Sequence, residues 1–295
     1  MTGNVRAWLV WASLGGLFAG GTVWAQQTGG AMTGGTGTGA DLPIAVQMYT
    51  LRDYGSVEEQ FQFAADSGFQ NVETVGTHDL SAEEMNTLSD ETGLSVISTH
   101  VDLNTLRTDL EGVIAFNEAI GNTNIVMPYL GEEDRPQDAA GWQELGAELD
   151  GIGAQLKQAG MQLAYHNHDF EMEEVEGELI IDHILNAADP ENLMWQADVA
   201  WIDRGGQDPA QLLSDHAGRV ISIHAKDNYP EGEGEDEGGF ATVGSGRLDW
   251  DAILPAASEA GVQYYIVEHD QPADYGTIAD SHEFLSSTLP GVLGQ

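Results

Sequence analysis

The chain of 295 residues contains no cysteine, and this absence excludes disulfide bonds, thiolate metal sites and a cysteine nucleophile. Basic residues are also scarce, because Lys and Arg together number 9 against 49 Asp and Glu, which gives a formal net charge of −40. A surface of this charge repels nucleic acid, whose phosphate backbone is bound by clusters of Lys and Arg. The composition therefore argues against a nucleic-acid partner.

The acidic residues are spread along the chain rather than gathered in a tail, and hydrophobic residues make up 41% of the sequence. A chain of this composition can bury a core, so disorder is a poor explanation of the charge. We interpret the carboxylates as a halophile-type surface, whose self-repulsion is screened by concentrated salt. An acidic surface made for a cationic partner is the alternative.

The first 40 residues differ from the rest of the sequence. Arg6 precedes the apolar stretch AWLVWASLGGLFAGGTVWA, which ends in Val23-Trp24-Ala25, with small residues at the two positions that a signal peptidase reads. We predict a signal peptide over residues 1–25, a Gly/Thr-rich linker over 26–40 and one folded domain over 41–295. The mature protein is then expected in the periplasm or outside the cell, without stable membrane insertion. A retained membrane anchor is the alternative.

From residue 43 onwards, short apolar and β-branched runs alternate with amphipathic helical patterns. Eight strands are predicted, at 43–50, 70–75, 94–101, 123–129, 161–168, 193–200, 219–226 and 263–270. Strands that alternate with helices form a parallel sheet, and eight such units in about 250 residues predict a closed (β/α)8 TIM barrel. An open doubly wound sheet is the alternative, but no glycine-rich phosphate loop follows the first strand.

The functional residues of a TIM barrel lie at the carboxyl ends of its strands. The predicted strands end in polar side chains, which are costly to bury unless they are paired or bind a ligand: Gln47, Tyr49, Arg52, Glu73, His100, Asp102, His166, Asn167, His168, Asp198, His224, Lys226, Glu268 and Asp270. Because side chains alternate along a strand, Asp198, His224 and Glu268 can converge from three successive strands on one point.

A set of carboxylate and imidazole ligands suits one divalent cation, such as Mn²⁺, Zn²⁺, Co²⁺ or Mg²⁺. We predict that the metal ligands are Asp198, His224, Glu268 and one residue from the fifth strand. His168 is the first choice for that residue and His166 the second, and Glu171 or Glu173 in the following loop are further candidates.

Five segments, YHNHDFE, DVAWIDRGG, IHAKD, VGSGRLDW and VEHD, occur in this order along the second half of the chain. In order and spacing they resemble the xylose isomerase-like TIM-barrel family, often described as sugar phosphate isomerase/epimerase. The resemblance runs from about Ile44 to Leu289 and includes the opening VQMYTLRD. It implies a divalent metal held by residues of strands five to eight, which carries over onto Asp198, His224 and Glu268. It also implies small, polyol-like substrates.

One position departs from the family pattern. In the isomerases and epimerases of the family, a glutamate at the end of the fifth strand binds the metal and moves a proton, and it faces a second glutamate on the eighth strand. Here the fifth strand ends in Tyr165-His166-Asn167-His168. A proton shuttle between two glutamates across the sugar is therefore in doubt, and imidazole or lysine is left as the acid or base.

The function that we predict is that of a metal-dependent, sugar isomerase/epimerase-like enzyme, which acts on a small carbohydrate such as a keto-sugar through a metal-stabilised enolate. A keto-sugar lyase or hydratase on the same barrel is one alternative, and a non-catalytic carbohydrate-binding barrel is another. An apurinic endonuclease of the same superfamily needs a basic groove, which the net charge of −40 argues against. The sequence leaves the oligomeric state open.

The candidate residues fall into two further groups. Catalytic roles are predicted for Glu268, Lys226, His166 and Glu73, and substrate contacts for Gln47, Arg52, His100, Trp201 and Arg204. Lys226 is one of only two lysines in the chain. We expect its ammonium to hold an enolate oxygen, or its pKa to fall so that it acts as a base; an ion pair with Asp198 or Glu268 is the alternative. The acidic segment 230–246 is either a mobile lid or a solvated insertion.

Overall fold

The computed structural model describes residues 42–295, so the predicted signal peptide, the predicted linker and residue 41 lie outside the described residues. Eight parallel strands form a closed barrel, in which each strand pairs with its neighbours in the chain and β1 pairs with β8. Their bounds are β1 Ile44–Gln47, β2 Asn71–Val75, β3 Ser95–His100, β4 Asn124–Met127, β5 Gln162–His166, β6 Leu193–Asp198, β7 Val220–Ala225 and β8 Tyr264–Val267. All eight predicted strands and the TIM barrel are confirmed.

Helices connect the strands and cover the outside of the barrel. Their bounds are α1 Val57–Asp66, α2 Ala82–Thr92, α3 Leu103–Thr108, α4 Leu110–Ile120, α5 Ala139–Gln158, α6 Ile180–Asn186, α7 Val199–Arg204, α8 Pro209–Asp215, α9 Trp250–Ala260 and α10 Gly276–Val292. Within residues 42–295, no helix is both long enough and apolar enough to cross a membrane.

Local sequence signals explain where several helices begin and end. Ser56 and Ser81 each form a capping box with the glutamate three residues later, so the first backbone N–H groups of α1 and α2 have acceptors. Gly121 ends α4 in a left-handed conformation, with φ of 76°, which glycine adopts without steric cost. These devices fix the lengths of the connections and therefore the height at which each strand ends.

The barrel interior is layered. Near the amino ends of the strands it holds two small apolar clusters, which are separate from the large core between the barrel and the helices and contain Ala45, Ile97, Ile266, Val126, Ala164 and Ile221. Gln47, His166 and Glu268 follow two residues after Ala45, Ala164 and Ile266, and they carry polar groups on the same faces nearer to the carboxyl ends. The apolar floor therefore supports a polar layer above it.

The acidic segment 230–246 belongs to an ordered hairpin rather than to a free strand of chain. Asp227–Asn228 pairs antiparallel with Phe240–Ala241, and a short 3-10 helix, Glu235–Glu237, lies at the tip. The carboxylate of Asp227 accepts hydrogen bonds from four backbone N–H groups and from Trp250 Nε1. Gly246 packs so closely that a Cβ there would lie 2.2 Å from Asp227 Oδ1. These contacts join the end of the hairpin to the start of α9.

Candidate metal centre and active site

A cavity of about 530 Å³ opens at the carboxyl ends of the strands, where a TIM barrel carries its functional residues. Its walls come from the ends of several strands and from the loops that follow them. The lining residues are Tyr49, Arg52, Val75, His100, Pro128, Tyr129, His166, His168, Glu268, Asp270 and Gln271. Six of the polar strand-end residues that we singled out from the sequence therefore meet in one cavity, together with Tyr49.

Four buried side chains on the last four strands converge beside this cavity. One potential ligand atom from each of His166, Asp198, His224 and Glu268 lies within 4.8 Å of the others. The strand parity argument thus brings Asp198, His224 and Glu268 together as expected. The fifth-strand member of the group is His166, which was the second choice, and not His168.

One carboxylate oxygen of Asp198 accepts two hydrogen bonds, and the other has no hydrogen-bond partner and is called the open oxygen below. Oδ1 accepts hydrogen bonds of 2.9 Å from the backbone N–H groups of Ala200 and Trp201, at the start of α7. Oδ2 is buried and has no hydrogen-bond partner; the nearest cationic atoms are Lys226 Nζ at 3.5 Å and His224 Nδ1 at 3.8 Å. Burial raises the pKa of Asp198 to about 6 against the opposing pull of these two cations. An unpartnered buried carboxylate oxygen is costly, and a bound cation would remove the cost.

His166 supplies the second open atom of the group. Burial and the neighbouring His224 hold the pKa of His166 well below its ordinary value, so its imidazole is neutral and keeps a lone pair for a metal. Its Nδ1 has no hydrogen-bond partner, and its Nε2 lies 3.9 Å from Asp198 Oδ2. Two imidazoles and two carboxylates are a ligand set that fits Zn²⁺, Mn²⁺ or Co²⁺. The residues present therefore fit one divalent ion.

His224 connects this group to a further buried carboxylate, that of Glu73. Its Nδ1 lies 3.0 Å from Glu268 Oε2, and its Nε2 lies 2.7 Å from Glu73 Oε1. Although burial disfavours the charged ring, these carboxylates raise the pKa of His224 to about 10. Glu73 thus holds the imidazole through Nε2, as an acceptor behind a metal-binding histidine commonly does, and Nδ1 is the atom that faces Asp198 and Glu268.

Glu73 is saturated with partners. Gln47 Nε2 donates to Oε1 at 2.7 Å, Gln196 Nε2 donates to Oε2 at 2.6 Å, and His100 Nε2 lies 3.0 Å from Oε1. Although burial opposes ionisation, His100 and His224 hold the pKa of Glu73 well below its ordinary value. Glu73 and Gln47 are fully buried and do not line the cavity. Their contacts favour a positioning role beneath His100 and His224, and the catalytic and substrate-binding roles given to them from the sequence stay predictions.

Lys226 lies among three carboxylates. Its Nζ is 2.6 Å from Asp270 Oδ1, 3.0 Å from Glu268 Oε2 and 3.5 Å from Asp198 Oδ2. Although burial disfavours the charge, these carboxylates raise the pKa of Lys226 above its ordinary value. The same ammonium helps to keep the pKa of Glu268 well below its ordinary value, against the effect of burial. The arrangement favours a permanent ammonium over a lysine base, and it contains the ion pair that we considered as the alternative.

His168 lines the cavity but is not a member of the metal group. The carboxylate of Glu171 accepts the His168 backbone N–H at 2.7 Å, and the His168 ring lies edge-on to Tyr129, with centroids 5.0 Å apart. Glu171 is buried against the Tyr165 hydroxyl, and burial raises the pKa of Glu171 to about 8. Neither Glu171 nor the exposed Glu173 belongs to the group of potential ligands.

Trp201 and Arg204 form a wall behind Lys226. Arg204 donates to Asn228 Oδ1 and to the Gly238 carbonyl, and its guanidinium stacks on Phe240 at 3.5 Å. Trp201 packs against Phe240. These two residues hold the acidic hairpin against α7 and do not line the cavity, and their predicted contacts with substrate stay predictions. Two other predicted substrate contacts, Arg52 and His100, do line the cavity.

Val75 and Tyr129 are among the residues of the cavity wall that were not singled out from the sequence. They end β2 and follow β4, so their positions at strand ends were available as a signal. In the sequence, however, an apolar residue at a strand end looks like a residue of the hydrophobic core. Only the structure shows that Val75 and Tyr129 are exposed at the mouth of the cavity.

The fold and this cluster define a TIM barrel with a group of side chains that could hold a metal ion at the ends of its last four strands. The chain belongs to the xylose isomerase-like TIM barrel family, whose sequence pattern matches residues 61–288. Among solved structures, a sugar phosphate isomerase/epimerase from Parabacteroides distasonis superposes with a TM-score of 0.72 at 20% identity, over 85% of this chain and 96% of that one. The IolI protein with a bound zinc atom superposes with a TM-score of 0.67 at 16% identity, over 86% and 98%. At these identities the likeness shows the shared fold.

Among curated proteins, an inosose dehydratase from Lacticaseibacillus casei is 27% identical over 168 residues, which are 50% of this chain and 56% of the relative. The chain therefore spans about half the length of the curated relatives that it matches. Inosose is a keto form of a ring polyol, and a dehydratase removes water from it.

Proposed function

We propose that the protein is a divalent-metal-dependent lyase, which eliminates water or an alcohol from a keto-sugar or a related keto-polyol. One observation carries this choice over isomerisation: Glu268 is the single carboxylate of the metal group that lines the cavity, and the fifth-strand member of the group is the imidazole of His166. The similarity to inosose dehydratases supports the same choice. The isomerase/epimerase-like reading remains the alternative on this barrel.

The residues that would hold the metal are His166, Asp198, His224 and Glu268. A divalent ion in such a group acts as a Lewis acid, which polarises a carbonyl oxygen and acidifies the adjacent C–H bond. Asp198 lies at the buried side of the group and Glu268 at the cavity side. The reacting carbons therefore lie on the side of Glu268.

Glu268 is the side chain best suited to accept the proton. Its carboxylate is ionised, since Lys226 and His224 keep its pKa low, and it borders the cavity. It takes the proton from the carbon next to the carbonyl while a C=C bond forms, and the bond between the β-carbon and its oxygen breaks. The protonated Glu268 then returns the proton to the leaving oxygen, which departs as water or an alcohol.

The elimination described above needs only one carboxylate, on one face of the substrate. Epimerisation needs a second group that delivers a proton to the opposite face. His166 is neutral, and its Nε2 lies 3.9 Å from Asp198 Oδ2 within the metal group. His100 lies beside His166 and His224, and its Nε2 is already engaged by Gln196 and Glu73. The arrangement thus favours elimination over inversion of a carbon centre.

The test is turnover of keto-sugars by the Mn²⁺-loaded enzyme in D₂O. With an inosose and with a methyl 3-keto-glucoside as substrates, we expect loss of substrate and formation of an enone, followed by ultraviolet absorbance and mass spectrometry. Glu268→Gln should lower kcat by at least about 100-fold, the usual contribution of a positioned acid–base group. Glu259→Gln, on the exposed face of α9, makes the same change of charge and should keep full activity.

Two outcomes would overturn the proposal. An epimer or an aldose–ketose conversion, with deuterium at the adjacent carbon and no enone, would favour the isomerase. Neither deuterium exchange nor loss of any keto-sugar would remove enolate chemistry altogether.

A further inference from the structure

The exposed large hydrophobic side chains of residues 42–295 are concentrated at one place. They are Tyr49, Val75 and Tyr129, which are 43%, 40% and 48% exposed, and all three line the cavity described above. They follow or end β1, β2 and β4, on the side of the mouth that does not carry the metal group. On a chain with 49 acidic residues, an apolar rim of this kind marks a binding surface.

Two arginines hold the tyrosines of this rim in place. The Arg52 guanidinium lies 4.0 Å from the centre of the Tyr49 ring, and it donates to the backbone carbonyls of Tyr49 and Asp270. Arg135 Nη2 donates to the Tyr129 hydroxyl at 2.9 Å. In a chain with so few basic residues, two arginines thus orient two exposed rings beside one cavity. Rings ordered in this way lose little entropy when a ligand covers them.

The cavity is also larger than a single sugar ring needs. Its volume of about 530 Å³ lies within the range of about 300–1,000 Å³ that holds drug-sized ligands. A keto-sugar ring at Glu268 leaves the β1–β4 side of this space unfilled. The surfaces there are the faces of Tyr49 and Tyr129 and the methyl groups of Val75.

We propose that Tyr49, Val75 and Tyr129 form a second subsite, which receives an uncharged ring carried on the leaving oxygen of the substrate. The inference rests on the proposed lyase function and narrows its substrate class to glycosides of keto-sugars, so that the group expelled is a ring-bearing alcohol. Tyrosine rings pack against the apolar faces of sugars and of aromatic groups alike. A negatively charged group is disfavoured, because the acidic surface repels it.

The test separates binding from turnover by using glycosides that lack the keto group. Binding of three compounds to the metal-loaded protein is measured by calorimetry: benzyl β-glucoside, methyl β-cellobioside and methyl β-glucoside. We expect the benzyl or the cellobiosyl compound to bind at least about 10-fold more tightly than the methyl compound, from ring contacts with two tyrosines. The preferred compound shows whether the ring is aromatic or a sugar.

Tyr49→Ala and Tyr129→Ala should each weaken binding of the preferred compound by about 3- to 10-fold and shift the affinity for the methyl glucoside by less than about twofold. Tyr264→Ala, at the amino end of β8, is the matched control and should keep the preference. Equal affinities for all three compounds in the unchanged protein would overturn the subsite. A ring preference without turnover of any keto-sugar would instead leave the subsite standing and remove the proposed reaction.

Discussion

Glu73 and Asp198 are both fully buried carboxylates in the same barrel, yet their surroundings are opposite. Glu73 is contacted by Gln47, Gln196 and two histidines, and its pKa is held well below the ordinary value. Asp198 has one oxygen without any hydrogen-bond partner, and burial raises its pKa to about 6. The protein supplies partners for the whole of the first carboxylate, whereas the second keeps one oxygen that could bind a cation. Hydrogen bonding, rather than burial, separates these two carboxylates.

Position along the strand accounts for the difference. Glu73 lies within β2, where Gln47 and Gln196 reach it from β1 and β6 across the barrel interior. Asp198 is the last residue of β6 and also the N-cap of α7, so one of its oxygens is committed to backbone N–H groups and the other faces the group of ligands. The helix therefore orients the open oxygen.

The largest effect on stability is expected from Glu73→Gln. The amide keeps the shape of the side chain but removes the charge, and its NH₂ group faces donors of Gln47 and Gln196. We expect a loss of about 3 kcal/mol in the free energy of unfolding, as for a broken buried ion pair, measured by denaturant titration. Glu118→Gln on the exposed face of α4 is the control. A loss within about 0.5 kcal/mol, the range of ordinary surface changes, would show that saturation of Glu73 contributes little.

The surface carboxylates differ from both Glu73 and Asp198, because the chain has few Lys and Arg side chains to pair with them. The net charge of −40 should destabilise the fold in dilute buffer, and screening should relieve this repulsion. We expect the melting temperature to rise by roughly 5 °C between dilute buffer and about 1 M KCl, equivalent to about 2 kcal/mol. NaCl should give the same gain, since screening does not depend on the identity of the cation. An unchanged melting temperature in both salts would mean that the surface charge has another purpose.

The smallest effect concerns the pair formed by Asp182 and His216 at the outer surface. His216 Nε2 lies 2.8 Å from Asp182 Oδ1. Although burial opposes the charge, this carboxylate and the Leu212 carbonyl raise the pKa of His216 above its ordinary value. A histidine whose pKa is raised by folding stabilises the folded state at pH values below its pKa in the unfolded chain, which is about 6.5. This contribution is lost as the pH rises through the pKa of the histidine in the folded protein.

We therefore expect His216→Gln to cost up to about 1 kcal/mol more at pH 6 than at pH 9. Denaturant titrations of both proteins at the two pH values measure this difference. The edge contact of the His216 ring with Trp195 is lost at both pH values, so it cancels in the comparison. Equal costs at pH 6 and pH 9 would contradict the charge pairing.

Much of the fold was predictable, because each barrel strand is a short apolar run flanked by helix signals. Alternation along the strands also predicted that Asp198, His224 and Glu268 would meet. The fifth-strand member of the group was not predictable, since His166 and His168 have the same parity. β5 ends at His166, and the bond from the His168 N–H to Glu171 turns the next residues towards the rim. The alternation of side chains along a strand does not show at which residue the strand ends.

The roles of Trp201 and Arg204 were hidden for a different reason. Trp201 lies close to the predicted ligand Asp198 in sequence, and Arg204 is one of only seven arginines, which favoured contacts with substrate. Their partners, Phe240 and Gly238, lie more than thirty residues further on, in a hairpin whose pairing depends on the bonds to Asp227. A long-range contact of this kind leaves no local pattern in the sequence.

The most direct test of the account is a titration of the protein with Mn²⁺, comparing the unchanged chain with Asp198→Asn. Asparagine keeps the Oδ1 acceptor for Ala200 and Trp201, so the barrel should remain folded, but it removes the charge from the open oxygen. We predict one bound ion per chain for the unchanged protein and an affinity at least about 100-fold weaker for the variant, beyond the loss typical of residues that only support a ligand. One ion per chain at equal affinity in both proteins would contradict the assignment of Asp198 as a metal ligand.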